Sequence, residues 1–75
     1  MAIVRLDCMY EACPIPLIKA YKQLEKMQLG DILILETDHS CSITNVIEWA
    51  KKHQYNVDFL ETSEGEWEIY IEKTK

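Results

Sequence analysis

The element Cys13-Pro14-Ile15-Pro16 joins a nucleophile to two residues that restrict backbone geometry. A proline disfavours helical geometry in the residue before it, so Cys13 is expected to be extended, with its side chain projecting from the mouth of the helix that follows. Pro14 and Pro16 suit a first helical turn, whose amides lack intrahelical partners in any case, so two missing N–H groups cost little. Pro16 also biases Ile15 away from helix, which leaves the first helical residue open. The remaining amides and the positive end of the helix dipole favour negative charge and lower the pKa of a thiol placed there. The chemistry to expect is that of a thiolate: nucleophilic attack, or retention of an anionic terminal sulfur as a persulfide. The bland reading is an ordinary buried cysteine ahead of a helix that begins with prolines.

A second group of reactive types, Asp38, His39 and Cys41, stands in the segment Thr37-Asp38-His39-Ser40-Cys41. Cys41 falls near the start of another helix and has two readings: a second low-pKa thiol that resolves or receives a persulfide on Cys13, or a small capping or core residue. The second is favoured because buried cysteine is common. Cys8, five residues before Cys13 and placed in a loop, could form a transient disulfide but reads more simply as a spectator. Cys8, Cys13, His39 and Cys41 are the ligand types of a zinc site, yet paired Cys-x-x-Cys spacing is absent, so no metal is expected. His53 reads as a helix-end residue, and Trp49 and Trp67 as packing residues, unless an aromatic on an uncovered sheet face marks a partner surface.

The elements that must position these residues follow from hydrophobic spacing. Ile3 to Leu6 reads as a first strand and Asp7 to Ala12 as a loop. Leu17, Ala20, Tyr21, Leu24 and Met27 share one helical face, with Lys19, Lys22, Gln23 and Lys26 on the other, giving a helix from about Ile15 to Met27. Gly30 is the helix stop, and Ile32 to Leu35 form an unbroken apolar run suited to a central strand. Thr37 to Ser40 is a loop with N-cap residues, and Ile43, Val46, Ile47 and Ala50 continue a second helix to about His53. Val57, Phe59 and Leu60 make a third strand, Ser63 to Glu66 a turn, and Trp67, Ile69 and Ile71 alternate with Glu68, Tyr70 and Glu72 in a fourth. The expected fold is α+β, a two-layer α/β sandwich of order β-α-β-α-β-β, with two helices packed on a four-stranded mixed sheet. If the first two strands are neighbours, a right-handed crossover makes them parallel, and both strand-to-helix loops share one sheet edge.

Seventy-five residues, 48% of them hydrophobic, have room for one compact domain, taken as residues 1–75. A formal net charge of -5 argues against nucleic-acid binding, which needs a concentrated cationic face. The Met1 to Leu6 start lacks the basic flank and long apolar run of a signal peptide, and no stretch is long enough to span a bilayer, so a cytoplasmic protein without membrane insertion is expected. Its three cysteines should then be reduced, and a structural disulfide framework is not expected.

From Leu6 onward the chain resembles the TusA/SirA-type sulfur carrier family. The features that carry the likeness are Leu6-Asp7 before the loop, Cys13-Pro14-Ile15-Pro16-Leu17 opening the helix, Gly30-Asp31 before an apolar strand, Thr37-Asp38 after it, and Ile71-Glu72-Lys73 near the end. The resemblance implies a persulfide carried on Cys13, with no cofactor beyond that covalent intermediate, taken from a donor protein and passed to an acceptor in a sulfur relay. The chain departs from the pattern at Met9-Tyr10-Glu11, where relatives commonly have a glycine followed by a leucine. The Asp38-His39-Ser40-Cys41 loop resembles YeeD-like members, which implies attack on the outer sulfur of thiosulfate and a YeeE-type membrane transporter as partner. Lys19 or His39 would then supply positive charge to that dianion. The alternative of a different class is a non-catalytic interaction or regulatory module that presents the uncovered sheet face.

Overall fold

Apolar runs and amphipathic faces assemble as the spacing predicts. The computed structural model describes residues 2–13 and 15–74. It contains β1 (Ile3–Cys8), α1 (Ile15–Lys26), β2 (Ile32–Thr37), α2 (Ser40–Lys52), β3 (Asn56–Ser63) and β4 (Glu66–Glu72). The strands form one sheet in the order β1-β2-β4-β3, with β1 and β2 parallel and the other pairs antiparallel. The fold is α+β, with two helices on a four-stranded mixed sheet.

The alternation of side chains along each strand decides which ones the helices cover. Leu33 and Leu35 of β2, and Ile69 and Ile71 of β4, are fully buried, and they meet Leu24 of α1 and Val46 of α2 in one core. Burying side chains of this kind contributes about 1.5–3 kcal/mol each. Trp49 and Trp67 pack against the same core, as expected of packing residues. Trp67 pairs with the buried Thr37 and so lies on the helix-covered side. His53 is the C-cap of α2, with its ring centroid 4.9 Å from that of Trp49.

Several boundaries differ from the spacing argument. The first strand continues to Cys8 and the second to Thr37, because parallel pairing runs through Asp7↔Glu36 to Cys8↔Thr37. Cys8 is therefore a buried strand residue, not a loop residue. Ile15 is helical despite preceding Pro16: its N–H donates to the Ala12 carbonyl at 3.0 Å, and Pro16 is buried. Burial of the proline ring outweighs a local steric preference of this size. β3 is mostly exposed, with Phe59 and Leu60 each 47% accessible, since an edge strand lies at the margin of the helical layer.

Helix α1 ends earlier than Gly30. The Lys73 ammonium donates to the Met27 carbonyl at 2.7 Å and also to that of Leu24, satisfying last-turn acceptors. Gly30, at φ 90°, belongs to the turn that follows. Asp31 closes this turn by accepting N–H groups from Gln28 and Ala2, and those two bonds, Gln28's first, hold its carboxyl below the usual range.

Candidate functional site

Parallel pairing of β1 and β2 puts their carboxyl ends side by side, and the loops that leave them carry the reactive residues. After β1, the Asp7 carboxylate accepts the Met9 N–H at 3.0 Å and turns the chain. Tyr10 then adopts φ 66°, a left-handed conformation that favours glycine, and its N–H donates to the Asp38 carboxylate at 2.9 Å. This bond ties the first loop to the second. Desolvation pushes the Asp38 carboxyl up, but the Tyr10 N–H and the neighbouring His39 together hold it below the usual range.

The second loop is built on Thr37 and His39. Thr37 Oγ1 accepts the His39 N–H at 3.2 Å, and the His39 carbonyl accepts the Ser42 N–H at 3.1 Å. His39 is the N-cap of α2 in extended geometry (φ -117°, ψ 121°), without a side-chain cap. Its Nδ1 lies 2.7 Å from Asp38 Oδ1 at an angle outside hydrogen-bond geometry, an ion pair when the imidazole is protonated.

Cys13 and Cys41 meet at the junction of these loops, with Cα atoms 6.2 Å apart and their sulfurs joined as a disulfide. The expectation of reduced thiols thus meets a bonded pair, and Cys41, read as a capping or core residue, is instead exposed in the first turn of α2. Cys13 is half-buried in a turn instead of projecting freely, because its sulfur is turned to Cys41. Pro16 sits in the first turn of α1, whereas the helix-mouth role expected of Pro14 lies outside the described residues. Cys8 is fully buried; burial first, and then the Glu11 carboxylate, push its thiol up to about 12, so it remains protonated at neutral pH.

Lys19 corrects a second expectation. Its ammonium pairs with the Glu11 carboxylate, so its charge is already committed within the chain. Each partner holds the other charged, Glu11 below the usual carboxylate range and Lys19 above the usual lysine range. The bond joins the first loop to α1 across a separation of eight residues, a spacing that belongs to no regular element. Glu11 is the site residue that sequence reasoning missed: it was noted only as part of the stretch Met9-Tyr10-Glu11, where the chain departs from the pattern it resembles. Among the described residues, no group of three His, Cys, Asp or Glu side chains is arranged to hold a metal ion.

The uncovered face of the sheet has a different character. Arg5, Ile34, Tyr70 and Asp58 form one register row there. The Arg5 guanidinium donates to Glu68 at 3.2 Å and lies 3.6 Å from Glu36, while the Tyr70 hydroxyl donates to Glu68. These polar groups satisfy one another on a solvated surface.

Comparison with known proteins matches residues 4–73 to the profile of the family described as Sulfurtransferase TusA. The chain belongs to the TusA family. Among curated relatives, the Escherichia coli protein named as the sulfur carrier TsuB is 31% identical over 74 residues, covering 97% of this chain and 99% of that one. A protein of Methanocaldococcus jannaschii, also named as a sulfur carrier, is 30% identical over 73 residues, covering 97% of each. The crystal structure of a SirA-like protein from Desulfitobacterium hafniense superposes with a TM-score of 0.85 at 28% identity, covering 100% of both chains. Within this TusA-family chain, Tyr10 occupies backbone geometry suited to glycine.

Proposed function

We propose that this chain is a cytoplasmic sulfur carrier that holds sulfane sulfur as a persulfide on Cys13, receiving it from one protein and delivering it to another. The observation that carries this reading is the contrast among the cysteines. Cys8 is sealed in the core with its thiol pushed up to about 12, whereas Cys13 lies at the carboxyl edge of the parallel strand pair, ahead of α1. A helix N-terminus favours an anionic sulfur, which suits both attack and storage.

Once the disulfide has been opened by a thiol reductant, the Cys13 thiolate attacks the outer sulfur of the donor. With thiosulfate, a bond forms between Cys13 Sγ and the sulfane sulfur, the bond from that sulfur to the SO3 group breaks, and sulfite leaves with the electron pair. Lys19 is occupied by Glu11 and His39 Nδ1 lies 2.7 Å from the Asp38 carboxylate, so attraction of the dianion falls first to the positive end of α1, with His39 adding to it when protonated. A YeeE-type membrane transporter suits this route as the supplier of thiosulfate, and the likeness of the Asp38–Cys41 loop to YeeD-like members supports it. The residues flanking Cys13 support docking of partner proteins: Tyr10 is 90% exposed, and Ile15 and Ile18 present apolar surface from α1.

The test is intact mass of the reduced chain after incubation with thiosulfate, or with a cysteine desulfurase and cysteine. The first product expected carries one added, reductant-labile sulfur that Cys13→Ser lacks. An unmodified chain under both donors, with Cys13→Ser supporting cells as well as the wild type does, would contradict the proposal.

A further inference from the structure

We infer that Cys41 is a resolving thiol that discharges the Cys13 persulfide within the same chain, releasing sulfide and leaving the Cys13–Cys41 disulfide. The inference rests on the persulfide reading of Cys13 and gives the chain an additional activity, dithiol-dependent release of sulfide. Its basis is geometric: the two sulfurs meet in bonding contact with Cα atoms 6.2 Å apart.

The pair is held together by more than its own bond. Adjacent parallel strands end at Cys8↔Thr37, and the Tyr10 N–H donates to Asp38 across the two loops at 2.9 Å. Reduction leaves these contacts in place, so the thiols stay neighbours and their reaction is effectively intramolecular. Cys41 lies in the first turn of α2, a helix of 13 residues without an acidic residue in that turn, where the dipole favours a thiolate.

The step balances without an external oxidant. The Cys41 thiolate attacks Cys13 Sγ, a bond forms between the two cysteine sulfurs, the bond from Cys13 Sγ to the terminal sulfur breaks, and that sulfur takes a proton from water and departs as hydrosulfide. The two cysteine thiols are oxidised and the sulfane sulfur is reduced to sulfide. A dithiol, small or protein-borne, then reduces the disulfide by attacking the more exposed partner, Cys41, and displacing the Cys13 thiolate. With thiosulfate as donor, a full cycle consumes thiosulfate and a dithiol and yields sulfite and sulfide.

The experiment loads reduced, desalted wild type and Cys41→Ser with thiosulfate, then follows intact mass and free sulfide without added reductant. The exposed position of Cys41 makes the serine variant compatible with folding. Wild type is expected to lose the added sulfur, finish two hydrogens lighter than the reduced chain and release sulfide in equal amount. The Cys41→Ser persulfide is expected to persist on the order of a hundred-fold longer. Equal persistence in both proteins overturns the inference while leaving the carrier reading intact, and recovery of the sulfane sulfur on Cys41 without sulfide overturns it as well. Failure of both proteins to load from thiosulfate, and from a cysteine desulfurase with cysteine as well, overturns the carrier reading and this inference with it.

Discussion

Tyr10 holds a left-handed backbone conformation, φ 66°, that favours glycine. A non-glycine residue in left-handed geometry costs roughly 1–2 kcal/mol, and glycine gives back about half of that through its greater freedom in the unfolded chain. With Tyr10 90% exposed and little packing to lose, Tyr10→Gly should stabilise the chain by about 0.5–1 kcal/mol, read as a higher urea midpoint. A lower midpoint would mean that the tyrosine ring makes a contact worth more than the strain. The sequence displayed Tyr10 in a loop, but not its left-handed conformation, because φ is set by Asp7 and Asp38 on either side. Cys8 makes a separate prediction. Its unfolded thiol ionises near 9.0 and the folded one near about 12, so its contribution to stability is complete below pH 9.0 and declines as pH rises between those values. Alkaline destabilisation in that window should be weaker in Cys8→Ala; identical pH profiles would place the thiol outside the core.

Among the elements, the helices and strands were legible because their hydrophobic periods are regular, and the crossover rule placed both reactive loops on one edge. Their ends were less legible. Where a strand stops depends on its partner: pairing with β2 carries β1 through to Cys8, which a local polarity reading assigns to a loop. The end of α1 depends on Lys73, 46 residues beyond Met27, whose ammonium binds the last carbonyls. Lys73→Met keeps the aliphatic stem and removes the donors, so it should lower stability by about 1–2 kcal/mol in denaturant unfolding. No change would show that water satisfies those carbonyls equally well. Lys19 teaches the converse, since a lysine near a thiolate looks available for anion binding until the structure shows Glu11 bound to it.

For the molecule as a whole, the site is a product of topology: two loops 28 residues apart in sequence at their cysteines converge because their parent strands are parallel neighbours. Closing a loop of that length by a disulfide stabilises by about 3.6 kcal/mol in the chain-entropy account. Reduction should therefore lower the unfolding free energy by about 2–4 kcal/mol while leaving the circular dichroism spectrum native, since the core of Leu33, Leu35, Ile69 and Ile71 contains neither sulfur. Loss of the native spectrum on reduction would make the bond a structural requirement and not a reaction product. The spacing of Cys13 and Cys41 could not reveal their contact, because strand adjacency was an assumption at that level. The central claim, that sulfur resides on Cys13, is tested most directly by peptide mapping of the alkylated, thiosulfate-loaded chain beside Cys8→Ser, Cys13→Ser and Cys41→Ser. The account predicts sulfane sulfur on the Cys13 peptide, lasting in Cys41→Ser, caught by prompt alkylation in the chains that keep Cys41, and absent from Cys13→Ser; sulfur on Cys8, or undiminished loading of Cys13→Ser, would contradict it.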